Sequence, residues 1–173
     1  MPNYRRARHG STFFFTLVAR DRMPVLCDAP VRYLLRQAIE ELRVRRPFQI
    51  DAWVLLPDHL HCIWTLPGND PDYSARWGWV KKEVTKRLRL VPGMAGTARP
   101  TLWQPRFWEH MIWDEADFAG HCDYIHFNPV KHGLARSPRE WPWSTFHRFV
   151  SEGVYPKTWG GDEVVIPDGI GNE

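Results

Sequence analysis

His59 and His61 stand one residue apart in the stretch Leu56-Pro57-Asp58-His59-Leu60-His61, and Leu60, Cys62, Trp64 and Leu66 alternate with them. On a strand, alternate side chains share a face. Both imidazoles therefore project to one side, while the apolar set projects to the other. Two imidazoles placed this way can share one divalent cation, which acts as a Lewis acid on a phosphoryl oxygen. The same pattern also describes an ordinary pair of hydrogen-bonded strand histidines, so a third ligand is needed. Further along the chain, Asp117, His121, Tyr124 and Asn128 recur at i, i+4, i+7 and i+11, beside an apolar stripe of Phe118, Cys122 and Ile125. At about 100° per residue these are neighbouring stripes of one helix. The apolar stripe packs; the polar one offers a phenol as nucleophile and, one turn beyond it, the carbonyl oxygen of Asn128 as a neutral metal ligand. Without the histidine pair, the same stripe reads as a surface tyrosine with an Asn cap before Pro129.

The chemistry that unites a metal-binding histidine pair with a tyrosine is phosphodiester transesterification. An ordinary tyrosine has roughly one part in a thousand ionised at neutral pH. A cation on His59 and His61 compensates by drawing charge from the scissile phosphate and orienting it in line with the phenol oxygen. The resulting phosphotyrosine conserves the energy of the broken bond, so a strand can be rejoined without a nucleotide cofactor. The sequence carries no Walker-type glycine loop, in keeping with this.

The elements that must position these residues are legible in the periodicity. Thr12 to Ala19 reads as a strand, and Val31, Leu34, Leu35, Ala38 and Leu42 mark a helix capped by Asp28 and closed by Pro47. Phe48 to Leu56 and His59 to Leu66 read as two strands. A second helix is expected from about Asp72 to Leu90, with Trp77, Val80, Val84 and Leu88 on one face. Phe107 to Trp113 reads as a fourth strand. The third helix starts at Asp114 as cap and ends or kinks at Pro129. The order βαββαβ predicts an α+β, ferredoxin-like antiparallel sheet with two helices on one face, followed by a C-terminal helix that carries the tyrosine. Both imidazoles then lie on the face those two helices leave uncovered. Residues 1–150 form one domain with a basic N-terminal arm, and residues 151–173 form an acidic tail.

The composition of the 173 residues, 43% hydrophobic and 25% charged, supports a packed core and excludes disordered and collagen-like classes. Three cysteines without CxxC spacing exclude a disulfide framework and are read as reduced. No apolar run approaches the roughly 20 residues that span a bilayer, and no signal peptide is expected, so a cytoplasmic location is the expectation. Charge is unevenly spread: residues 1–50 carry ten Lys and Arg against four Asp and Glu, whereas residues 151–173 carry one lysine against five acids. A basic N-terminal half points to a polyanion. The candidate DNA contacts are Tyr4, Arg5, Arg6 and Arg8 in the arm and Lys81, Lys82 and Lys86 on the second helix. Trp77 or Trp79 is placed to stack on a base, and Trp53, Trp64 and Trp113 are assigned to the core. The acidic tail is either a solubiliser or a cover that competes with DNA.

Four segments together resemble the REP-associated tyrosine transposases, a branch of the single-tyrosine HUH transposases of bacterial insertion sequences. They are Asn3-Tyr4-Arg5-Arg6, Leu56 to His61, Trp103-Gln104-Pro105-Arg106-Phe107, and Asp123 to Leu134, which reads Asp-Tyr-Ile-His-Phe-Asn-Pro-Val-Lys-His-Gly-Leu. The resemblance spans residues 3 to about 143. It implies His59 and His61 as ligands of Mg²⁺ or Mn²⁺, Tyr124 as nucleophile, a 5′-phosphotyrosine on single-stranded DNA, and a substrate of folded REP-type hairpins. The family's third ligand is often glutamine, so Asn128 is the matching but shorter residue. A monomer is expected, with exchange of tyrosine helices in a homodimer as the alternative. Two other readings compete: a domesticated hairpin-binding protein that no longer cleaves, and a zinc hydrolase built on His59, His61 and His121.

Overall fold

The computed structural model describes residues 11–161 and 164–171. The basic arm with Tyr4, Arg5, Arg6 and Arg8 lies outside the described residues. Strand β1 (Thr12–Val18) leads into helix α1 (Ala29–Arg45), then β2 (Gln49–Leu55), β3 (His59–Thr65), α2 (Tyr73–Leu88), β4 (Trp108–Met111), α3 (Glu115–Lys131) and a short α4 (Phe146–Ser151). The sheet order is β2-β3-β1-β4 with every pairing antiparallel. This is the expected split βαβ arrangement: β1 and β2 are joined through α1, and β3 is inserted between them.

Alternation along the strands feeds two cores, one on each face. Phe15, Leu17, Leu60, Cys62 and Trp64 point to the side covered by α1 and α2, where they meet Leu35, Leu42, Val80 and Val84. The ring of Trp64 stacks on that of Trp77 at 3.9 Å. Trp77 is thus a core residue with no surface left for a base. The opposite face carries Phe14, Ala52, Val54 and Ile63 under Phe118, Cys122, Tyr124 and Ile125 of α3 and Phe146 and Phe149 of α4.

That second face corrects one expectation. It is not open, because α3 and α4 roof it, and the segment after Ser151 contributes Tyr155 and Trp159, whose rings stack at 4.3 Å. Residues 164–171 continue along α3, where Ile166 and Ile170 pack against the same core. A methyl group placed on Gly120 would come within 2.8 Å of Ile170, so the absence of a side chain there lets the tail approach the helix. Trp113 departs from its assigned place as well: it follows β4 with 55% of its surface exposed.

Side-chain caps start one helix on each face of the sheet. Asp72 accepts a hydrogen bond from Ala75 N at the start of α2, and Asp114 accepts one from Asp117 N at the start of α3. Pro129 lies in the last turn of α3 and does not stop it; the helix runs on to Lys131, since only one backbone donor is missing so close to the end.

Candidate active site

His59 and His61 occupy the central strand β3, and its register with β1 sets Thr16 opposite His61. Thr16 Oγ1 lies 2.8 Å from His61 Nδ1. His59 Nδ1 lies 2.7 Å from Asp58 Oδ1, and Arg22 grips the other carboxylate oxygen at 3.0 Å. Burial opposes ionisation of Asp58, but its hydrogen bond to His59 and the Arg22 guanidinium hold its pKa below the usual carboxylate range. An ionised carboxylate can only accept, so His59 donates from Nδ1 and keeps its Nε2 lone pair for a ligand. The same orientation at His61, with Nδ1–H donating to Thr16, turns its Nε2 to the same task. Complete burial holds the His61 imidazole well below its ordinary pKa, and the nearness of other basic groups, His59, His132 and Lys131, adds to the effect. His61 is therefore neutral, as a metal ligand must be.

Tyr124 arrives from α3, which lies across β2 and β3. Its ring centroid is 5.1 Å from that of His61, and the two histidine rings are 4.9 Å apart. The phenol and the histidine pair share one buried site within a single chain: Tyr124 is 4% exposed, His59 6% and His61 1%. Asn128, one turn further along α3, is fully buried. Neither its Oδ1 nor its Nδ2 has a hydrogen-bond partner among the described residues. Burying an amide without partners costs a few kcal/mol, of order 1–3. A cation is one group that would satisfy Oδ1, and two imidazole nitrogens with one amide oxygen are donors that a divalent ion accepts.

The structure adds residues that the pattern did not single out. Lys131 Nζ stands 3.5 Å from the Tyr124 hydroxyl and 4.7 Å from the ring centroid. It lies seven residues, two turns, after Tyr124 in the last turn of α3. The ring of His132 lies 5.1 Å from that of His59, and burial lowers its pKa. Gly171, at φ +82°, closes the site from the tail: a Cβ there would meet the Tyr124 ring at 2.5 Å and its hydroxyl oxygen at 2.9 Å. The tail backbone therefore lies directly against the phenol.

Other candidates are placed elsewhere. Lys81 donates to the carbonyl oxygens of Gln104 at 2.6 Å and Pro105 at 3.1 Å, and burial lowers its pKa. It ties α2 to the loop before β4, while Lys82 and Lys86 remain on the exposed side of that helix. His121 does not join His59 and His61. The Phe14 ring stands between, 4.7 Å from His121 and 5.5 Å from His61, and His121 pairs with Asp117 instead. The three-histidine hydrolase site is not formed.

Fold and site together define an α+β protein whose ferredoxin-like sheet holds a histidine pair beneath a tyrosine-bearing helix. No family model matches the chain. It is 47% identical over 163 residues, 94% of its length, to the REP-associated tyrosine transposase of Escherichia coli (strain K12), covering 93% of that protein. A Haemophilus influenzae protein of the same family designation is 39% identical over 168 residues, with 94% and 95% of the two chains covered. A solved structure described as the REP-associated tyrosine transposase bound to a REP hairpin superposes with a TM-score of 0.76 at 44% identity, spanning 96% of this chain and all of the other. The chain belongs to the REP-associated tyrosine transposases.

Proposed function

We propose that this protein cleaves and rejoins single-stranded DNA at or beside REP-type hairpins, with Tyr124 as nucleophile and a 5′-phosphotyrosine as the covalent intermediate. The observation that carries the reading is the approach of the Tyr124 ring to 5.1 Å from His61, on the face of the sheet where Asn128 is buried without partners. The hairpin substrate follows from the relative that was solved with one.

His59, His61 and Asn128 would hold Mg²⁺ or Mn²⁺, which when bound supplies charge withdrawal from the scissile phosphate. The Tyr124 hydroxyl oxygen attacks phosphorus and its proton leaves. The phosphorus–O3′ bond breaks, and the departing oxygen takes up a proton to become a 3′-hydroxyl. Lys131 brings positive charge to the phenol oxygen as its proton is lost. Burial under α3 keeps bulk water from competing for the phosphotyrosine, and a later 3′-hydroxyl reverses the step. Because histidines and tyrosine meet within one chain, a monomer supplies the complete site.

The test is incubation of the full chain with a labelled REP-type hairpin bearing a single-stranded flank, with and without Mn²⁺. A denaturant-resistant protein–DNA adduct is expected from the native sequence. Tyr124→Phe should bind the hairpin and form none. Cleavage that persists in Tyr124→Phe would assign the chemistry to water, and a native chain that binds without ever cleaving would be a hairpin-binding protein.

A further inference from the structure

A second cluster of metal-ligating side chains lies where β4 meets the first turns of α3, apart from the histidine pair. His110 comes from the edge strand β4, and Asp117 and His121 are four residues apart on α3. One ligand atom from each lies within 4.8 Å of the other two. Asp117 is held at the centre. Its Oδ2 accepts from Trp113 N and lies 2.9 Å from His110 Nε2, while its Oδ1 lies 3.0 Å from His121 Nδ1. The two imidazole rings are stacked, 4.7 Å between centroids and 17° between planes.

We propose that His110, Asp117 and His121 form a second metal site, suited to Zn²⁺ or a similar borderline transition ion. Two imidazole nitrogens and one carboxylate oxygen are a donor set that such ions take readily. The carboxylate is preset: burial opposes its ionisation, but the Trp113 N–H and the His110 contact hold Asp117 below the ordinary carboxylate range. His110 Nε2 and His121 Nδ1 face different oxygens of the carboxylate, and His121 Nδ1 also lies 2.9 Å from the Asp117 carbonyl oxygen, so a bound ion replaces these hydrogen bonds as the ligand atoms close to about 2.0–2.2 Å around it. Side-chain exposures of 33% at His110 and 18% at Asp117 leave an open side for entry and for a fourth, water ligand. Zinc there would clamp the start of α3 to the sheet edge, one helical turn before Tyr124, and so fix the helix that presents the phenol. Phe14 separates this site from His59 and His61, so the two can be emptied independently.

The test measures zinc retained by full-length protein after dialysis against buffered Zn²⁺, together with the rise in unfolding temperature that Zn²⁺ produces. His59→Ala/His61→Ala removes the first site and should still retain one zinc per chain and show the thermal rise. Adding His110→Ala should lose both. His110 is half-exposed on an edge strand, so its removal leaves the fold intact, which circular dichroism verifies. Cobalt absorption provides an independent readout: the tetrahedral bands should persist without His59 and His61 and vanish without His110. If the double variant binds no zinc, or the triple variant binds as much as the double, the cluster is a carboxylate hydrogen-bonded to two imidazoles and the proposal is overturned.

Discussion

At the scale of single residues, the site depends on the nitrogen each histidine turns toward the ligand. Asp58 fixes His59 through a 2.7 Å hydrogen bond to Nδ1, and Thr16 fixes His61. Asp58 touches neither phosphate nor tyrosine; it positions the imidazole and raises its basicity. Asp58→Asn keeps the shape but weakens both effects. Its expected consequence is a ~10–100-fold loss of Mn²⁺ affinity, with adduct formation restored at high Mn²⁺. Titration of adduct yield against Mn²⁺ checks this; an unchanged midpoint would show that the pairing with Arg22 is the role of Asp58. The histidine pair and Tyr124 were legible in the sequence because each sits on a regular element with a simple period. Thr16, Lys131 and Gly171 were not, because their roles arise from strand register, from the far end of a helix and from a segment with no period at all.

At the scale of elements, α3 and the tail decide whether the phenol can reach a substrate. The polar stripe read from the sequence, Asp117, His121, Tyr124 and Asn128, does exist on α3, but it turns inward over the sheet and is largely buried. Periodicity showed which residues share a stripe and could not show what covers it: the cover is α4 and the segment up to Gly171, whose Pro, Gly and Trp contacts follow no repeat. With Gly171 against the Tyr124 ring, DNA and tail cannot occupy the same space. If the closed tail is favoured by about 1.4 kcal/mol, the open fraction is about a tenth, and freeing the tail should raise adduct formation ~10-fold. Deletion of residues 164–173 tests this while sparing Tyr155 and Trp159. Gly171→Val tests it without truncation, since a side chain there collides with the ring. Equal initial rates in native, truncated and Gly171→Val proteins would show that the tail is no barrier.

At the scale of the whole molecule, one buried imidazole links the second core to solution pH. His126 projects from α3 and is fully buried, with Nδ1 3.1 Å from the Tyr155 hydroxyl and Nε2 2.7 Å from Thr145 Oγ1; Tyr155 in turn donates to Asp123. It thereby joins α3, the chain before α4 and the segment after α4 in one hydrogen-bonded set. Burial, reinforced by the charge of Arg148, pushes its pKa down from 6.5 to about 3. The unfolded chain takes up this proton as pH falls through 6.5, while the folded chain refuses it until about pH 3. The stabilisation is therefore complete above pH 6.5 and drains away as the solution is acidified toward 3, by up to about 1.4 kcal/mol per pH unit. His61 and His132, whose pKa values are also lowered, push in the same direction. His126→Gln retains amide groups for Thr145 and Tyr155 but cannot be protonated. Urea unfolding from pH 6.5 to pH 4.5 should show a shallower loss of stability in this variant than in the native chain, whatever their difference at neutral pH. Parallel curves would mean that His126 is protonated in the folded state as readily as in the unfolded one, and that the core around Tyr155 admits charge.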